Sequence, residues 1–141
     1  MRVISQAAAE RLQRAGVRWH PCSGDRFVVR SDELAGEVFT LADMTIEARE
    51  YPTGTLLAFN GTTEWALDSV QIDQVLWLPS EEQLRELLGT SFLGLRRSDV
   101  GEFEVLAHHP ARDPRTFAAA SAPDAYAAAV LDLVEWVQET T

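Results

Sequence analysis

Apolar residues recur along this chain at two spacings, near 3.6 and at 2, and the places where the spacing changes mark out the elements. Near the start, Ala8, Leu12 and Ala15 fall at i, i+4 and i+7 on one helical face. Ser5 precedes them as an N-cap with Ile4 as a staple residue, and Gly16 follows as a terminator. A turn around residues 21–25, a β-rich run at 27–29 and a loop at 31–35 come next. Strands are expected at 37–41 and 45–51, where β-branched and aromatic residues gather. In the second, Ile46 and Ala48 face one way while Glu47, Arg49 and Tyr51 face the other, the alternation of a half-buried antiparallel strand.

The run 55–59 meets 62–67 across Asn60-Gly61, and Asn-Gly between apolar runs is a strong hairpin signal because both central residues of a type I′ turn need positive φ. A two-residue loop would set Phe59 against Thr62 and Leu56 against Trp65. Residues 68–73 are ambiguous between a helical turn and irregular backbone, and 74–78 reads as a short buried strand ended by Pro79. Ser80 with Gln83 forms a capping box, Leu84, Leu87 and Leu88 make an apolar stripe, and Gly89 closes the helix. Strands at 92–96 and 103–107 join through Ser98-Asp99-Val100-Gly101, and a third at 116–119 follows the polar loop HHPARDPR. The last helix starts at Ser121-Ala122-Pro123-Asp124, with Tyr126, Ala129, Val130, Leu133 and Val137 as its apolar face. The expected architecture is a single α+β domain over 1–141. It has a mainly antiparallel sheet of six or seven strands with an N-terminal, a central and a C-terminal helix, since hairpins argue against a parallel sheet.

The 141 residues, 46% of them hydrophobic, suit one domain with a sizeable core. Cys22 is the single cysteine, so no internal disulfide framework is expected, and a reducing compartment fits. The N-terminus has no apolar run of secretory type, and no segment approaches the roughly 20 apolar residues of a membrane span. A cytoplasmic protein with no membrane partner is therefore expected. Net charge is −10, made of +4 over residues 1–30, −10 over 31–90 and −4 over the remainder. That field disfavours nucleic acid, and it fits either a solvated acidic face or a cationic or self-associating partner. All twelve cations are arginine, scattered along the chain and not gathered on one surface.

Chemistry is thinly signalled. His20 and Cys22 lie two apart, but Cys-His catalysis needs spatial proximity, and metal binding needs further ligands. His108, His109 and Asp113 are the densest group of candidate metal ligands. Adjacent histidines in a strand would point to opposite faces and so not share a metal unless a bulge re-aimed one, whereas in a loop before Pro110, the reading adopted, both are expected in solvent. The acids Glu37, Asp43, Glu47, Glu50, Glu64, Asp68 and Asp73 could supply a general acid–base pair, although nothing selects one. No phosphate-binding glycine loop or nucleophile elbow occurs, and no cofactor is expected. Trp65 and Trp77 read as core or sheet-face aromatics. Trp136 lies off the apolar stripe of the last helix, where a surface tryptophan suits a dimer or partner contact.

The stretch from Trp77 to Gly89, WLPSEEQLRELLG, is similar to a W-L-P-x-x-x-Q-L-x-x-L-L signature of short bacterial proteins, with related versions in phages. Those chains also carry an FNGTxEWALDS-like segment, here residues 59–69, between an N-terminal helix and an Ala/Leu-rich last helix. Some are named as a pilus-assembly ATPase component. This chain departs from such an ATPase, having no phosphate-loop lysine and no lysine at all, and the resemblance carries over no catalytic residue. The combined expectation is a non-catalytic binding or protein-interaction module, joined by an unknown protein partner or by self-association as a homodimer. The alternative is a small hydrolase or a metal- or ligand-binding enzyme, its site converging from acids and histidines.

Overall fold

The computed structural model describes residues 3–30, 36–41, 46–51, 54–59, 69–71 and 74–140; for 46–51, 54–59 and 69–71 the backbone alone is described. The elements run α1 (Gln6–Arg14), β1 (Arg26–Val29), β2 (Phe39–Thr40), β3 (Ile46–Tyr51), β4 (Gly54–Phe59), β5 (Ser69–Gln71), β6 (Val75–Leu78), α2 (Glu81–Leu88), β7 (Phe92–Arg97), β8 (Phe103–Ala107), β9 (Arg115–Ala119) and α3 (Ala122–Glu139). A 3-10 turn at Gly89–Ser91 joins α2 to β7. The chain is α+β, with its helices at the N-terminal, central and C-terminal places expected and every described strand pair antiparallel. No described helix is long and apolar enough to cross a membrane.

The expected single sheet of six or seven strands is replaced, among the described residues, by three three-stranded sheets ordered β2-β1-β6, β3-β4-β5 and β7-β8-β9. The reason is local closure: β1, β4 and β8 each have both edges filled by short neighbours. Leu56 accordingly takes Arg49 and Gln71 as register partners, leaving no edge of β4 for the expected pairing with Trp65. The Asn60-Gly61 turn and the 62–67 run lie outside the described residues. Within the ambiguous 68–73 segment, Ser69–Gln71 is a strand, because the open edge of β4 satisfies its backbone.

Two compact units result, one of Met1–Val17 with Pro79–Thr141 and one of Arg18–Leu78. In the second, β1 is buried on both faces through Phe27, Val28 and Val29, as befits the middle strand of its sheet. Phe27 packs against Trp19 and Phe39 with ring centroids 5.5 and 5.7 Å apart. The buried Asp25 carboxylate accepts from Trp19 Nε1 (2.8 Å) and from the Cys22 backbone (3.0 Å), which fixes the turn before β1.

The first unit is organised around α3. Its N-terminal half is buried nearly all round, at Ala122, Pro123, Ala125, Tyr126, Ala127, Ala129 and Val130, because α1, α2, β8 and β9 all pack on it. Small alanines let those neighbours approach. The expected five-residue stripe is thus corrected twice: burial extends beyond one face in the first half, and Val137 is exposed near the end. Ser5 and Ser121 both cap as expected, by accepting from Ala8 and Asp124 backbones. The Asp124 carboxylate accepts from the Ser5 backbone at 2.8 Å and so ties the start of α1 to the start of α3. α1 ends in the paired bonds of a Schellman motif, Gly16 to Gln13 and Val17 to Leu12, with Gly16 at φ +102°. α2 carries both bonds of its capping box.

Candidate functional site

β8 alternates, and its alternation continues past its end. Val105, Ala107 and His109 share the face turned to α3 and are all buried, while His108 points out to solvent. Both histidines lie just past the end of β8, outside any strand, as expected of a loop before Pro110. The expectation that both sit in solvent fails for His109, which is 2% exposed, because the strand's inward parity carries it under α3.

Under α3, His109 meets two side chains from successive turns. Nε2 lies 2.9 Å from Asp132 Oδ2, and the ring lies nearly parallel to that of Trp136, centroids 5.7 Å apart at 24°. Asp132 and Trp136 are four apart on the helix, so one face delivers both. The second oxygen of Asp132 accepts from Arg115 Nη1 at 2.8 Å, at the first residue of β9. A carboxylate only accepts, so Nε2 carries the proton in the His109–Asp132 bond. His109 Nδ1 is buried and has no hydrogen-bond partner. Two residues on, Ala111 holds φ +67°, an unusual conformation for a residue with a Cβ, in the turn where Arg112 N–H donates to the His109 carbonyl.

Of the residues singled out from the sequence, the structure brings His109 and Trp136 together. Trp136 is half-buried against an imidazole, a role its place off the helix stripe did not reveal. His108 and Asp113 are both exposed, and no group of three His, Cys, Asp or Glu side chains placed to hold a metal occurs among the described residues. Cys22 is a free, exposed thiol, and His20 is exposed too. Glu37 is exposed, and the side chains of Asp43, Glu47, Glu50, Glu64, Asp68 and Asp73 lie outside the description. Asp132 and Arg115 were missed. Asp132 interrupts the apolar run VLDLV, a signal that a carboxylate there has a buried partner.

A second cluster joins α2, β7 and α3. Tyr126, fully buried, lets its hydroxyl accept from Arg85 Nε (3.2 Å) and Nη2 (3.1 Å), and the guanidinium also lies 5.5 Å from the Phe92 ring. That hydroxyl holds the Arg85 pKa above its ordinary value, with Glu81 and Glu82 adding to the effect. The arrangement fastens α2 across the start of β7.

Fold and cluster together define an α+β protein in which the C-terminal helix holds a carboxylate-oriented histidine beneath a tryptophan. No protein-family model matches the chain, and neither a curated protein nor a solved structure matches it.

Proposed function

We propose that the protein is a non-catalytic binding or protein-interaction module that meets a protein partner or a second copy of itself. The observation that carries this reading is the internal engagement of His109. Its Nε2 is taken by Asp132, its ring face by Trp136, and almost none of it reaches solvent. A general base must come within hydrogen-bond reach of the proton it removes. An imidazole used in this way serves to lock β8 to α3. Exposed apolar side chains occur instead at Leu87, Leu93 and Leu95, around the end of α2 and along β7, where a macromolecular contact would be made. Kinship with the short bacterial and phage chains that carry the W-L-P-x-x-x-Q-L signature belongs to the same proposal. Its support is the capped α2 segment.

One observation favours the alternative of a small hydrolase. A carboxylate-oriented imidazole with an unpartnered Nδ1 is half of a general acid–base device, provided Trp136 moves aside. Chromogenic acetate and phosphate esters and chromogenic glycosides separate the two readings. The module reading expects hydrolysis no faster than in buffer, for the wild type and for Trp136→Ala. Turnover that His109→Ala abolishes would establish the enzyme.

A further inference from the structure

Strand β7 is an edge of its sheet: among the described residues it pairs with β8 alone. Its outward N–H and C=O groups form a template for another strand. Leu93 and Leu95 are 55% and 39% exposed along it. The register sets Leu95 against Val105 and Arg97 against Phe103, so both lie on the α3 face of the sheet. A register shift between Phe92 and Gly94 leaves Leu93 as the extra residue of a bulge. Arg85 over the Phe92 ring places α2 beside the first residue of the strand.

Charge selects the occupant. The strand reads FLGLRR, and its only ionised groups are Arg96 and Arg97 in a chain of net charge −10. Antiparallel pairing of β7 with a second copy of itself over 92–97 would set Arg96 and Arg97 opposite Leu93 and Phe92 of that copy and give neither arginine a carboxylate, so self-pairing leaves the charge of the strand uncomplemented. An incoming strand with carboxylates meets the opposite field. Arg96 already contacts Glu104 at 2.7 Å but is 56% exposed, and Arg97 stacks over Phe103 at 4.7 Å with one bond to the Gly101 carbonyl. Both keep further N–H donors for a carboxylate.

Resting on the module reading above, we propose that the edge of β7 away from β8 takes an extended, acidic segment of a partner protein as an added antiparallel strand. An apolar side chain of the partner lies beside Leu95, and carboxylates lie beside Arg96 and Arg97. Main-chain hydrogen bonds supply affinity, and the two arginines supply the choice of partner.

The probe is a fluorescein-labelled, end-blocked peptide Glu-Glu-Val-Thr-Val, titrated into the full chain and followed by anisotropy. Controls are the Lys-Lys-Val-Thr-Val peptide and an acidic peptide N-methylated at alternate amides. Binding of the acidic peptide is expected to be at least about tenfold tighter than that of either control and to weaken with salt. The double variant Arg96→Glu with Arg97→Glu should reverse the charge preference. In unmodified protein, amide chemical shifts at 93–97 should move on titration, a readout that needs no variant to fold. Equal binding of all three peptides, no saturation by about 1 mM, or shifts confined to other residues would each overturn the proposal. Such a failure leaves the His109 test untouched, and His109-dependent turnover would remove the module reading without bearing on the peptide result.

Discussion

Replacing Asp132 by alanine tests whether the buried His109 is held by its carboxylate. In the native chain Nε2 has one partner, at 2.9 Å, and Nδ1 has none. Asp132→Ala therefore leaves a buried imidazole with both nitrogens unsatisfied and removes a hydrogen bond to a charged acceptor. Such losses are worth roughly 1–3 kcal/mol for the stranded donor, so a total near 2–3 kcal/mol is expected. Arg115 shares the same carboxylate at 2.8 Å, but its side chain is 51% exposed. Arg115→Ala should cost only about 0–1 kcal/mol, since solvent and salt screen that pair. Urea unfolding, with a slope of roughly 2 kcal/mol/M, turns the Asp132 loss into a midpoint drop of about 1–1.5 M. His109→Phe keeps a ring against Trp136 and removes the polar demand. The double variant His109→Phe with Asp132→Ala should then recover part of the loss, because replacing both partners can be nearly neutral. Equal losses for Asp132→Ala and Arg115→Ala, or strict additivity in the cycle, would refute the reasoning.

Ser80→Ala removes one bond of the α2 capping box, and a loss of about 1 kcal/mol is expected by thermal or urea unfolding. Gly16→Ala forces a Cβ into backbone at φ +102° and should cost about 1 kcal/mol in the same assays. Its neighbourhood is open, with nothing within 4 Å of the new Cβ, so strain and not collision is the cause. Ala111→Gly is the converse: at φ +67° it relieves a strained residue, and melting should show a stability unchanged or raised by up to about 1 kcal/mol. Tyr126→Ala empties a fully buried aromatic site and should cost about 3–5 kcal/mol, whereas Tyr126→Phe should retain most of the stability, a contrast readable by urea midpoint.

Legibility followed the range of the interaction. Capping by Ser5, Ser80 and Ser121 and the stop at Gly16 depend on residues within one turn, so residue type and spacing sufficed. The loop before Pro110 was legible too, but its reading put both His108 and His109 in solvent. What it missed was the cover over His109. That depended on α3 lying over β8, and on Asp132 arriving 23 residues later in sequence.

The sequence alone determined the local vocabulary: three capped helices, antiparallel strands, an acidic surface charge and a sparse set of reactive groups. The tertiary structure decided how that vocabulary was joined. It chose the neighbours of β4, divided the described strands among three sheets, and set Tyr126 under Arg85 from 41 residues away. The physical reason is that caps and pleats are settled by backbone groups a few residues apart. Sheet neighbours and buried polar partners are chosen by which distant surfaces meet, and a one-dimensional pattern records only that a residue can be buried, not against what.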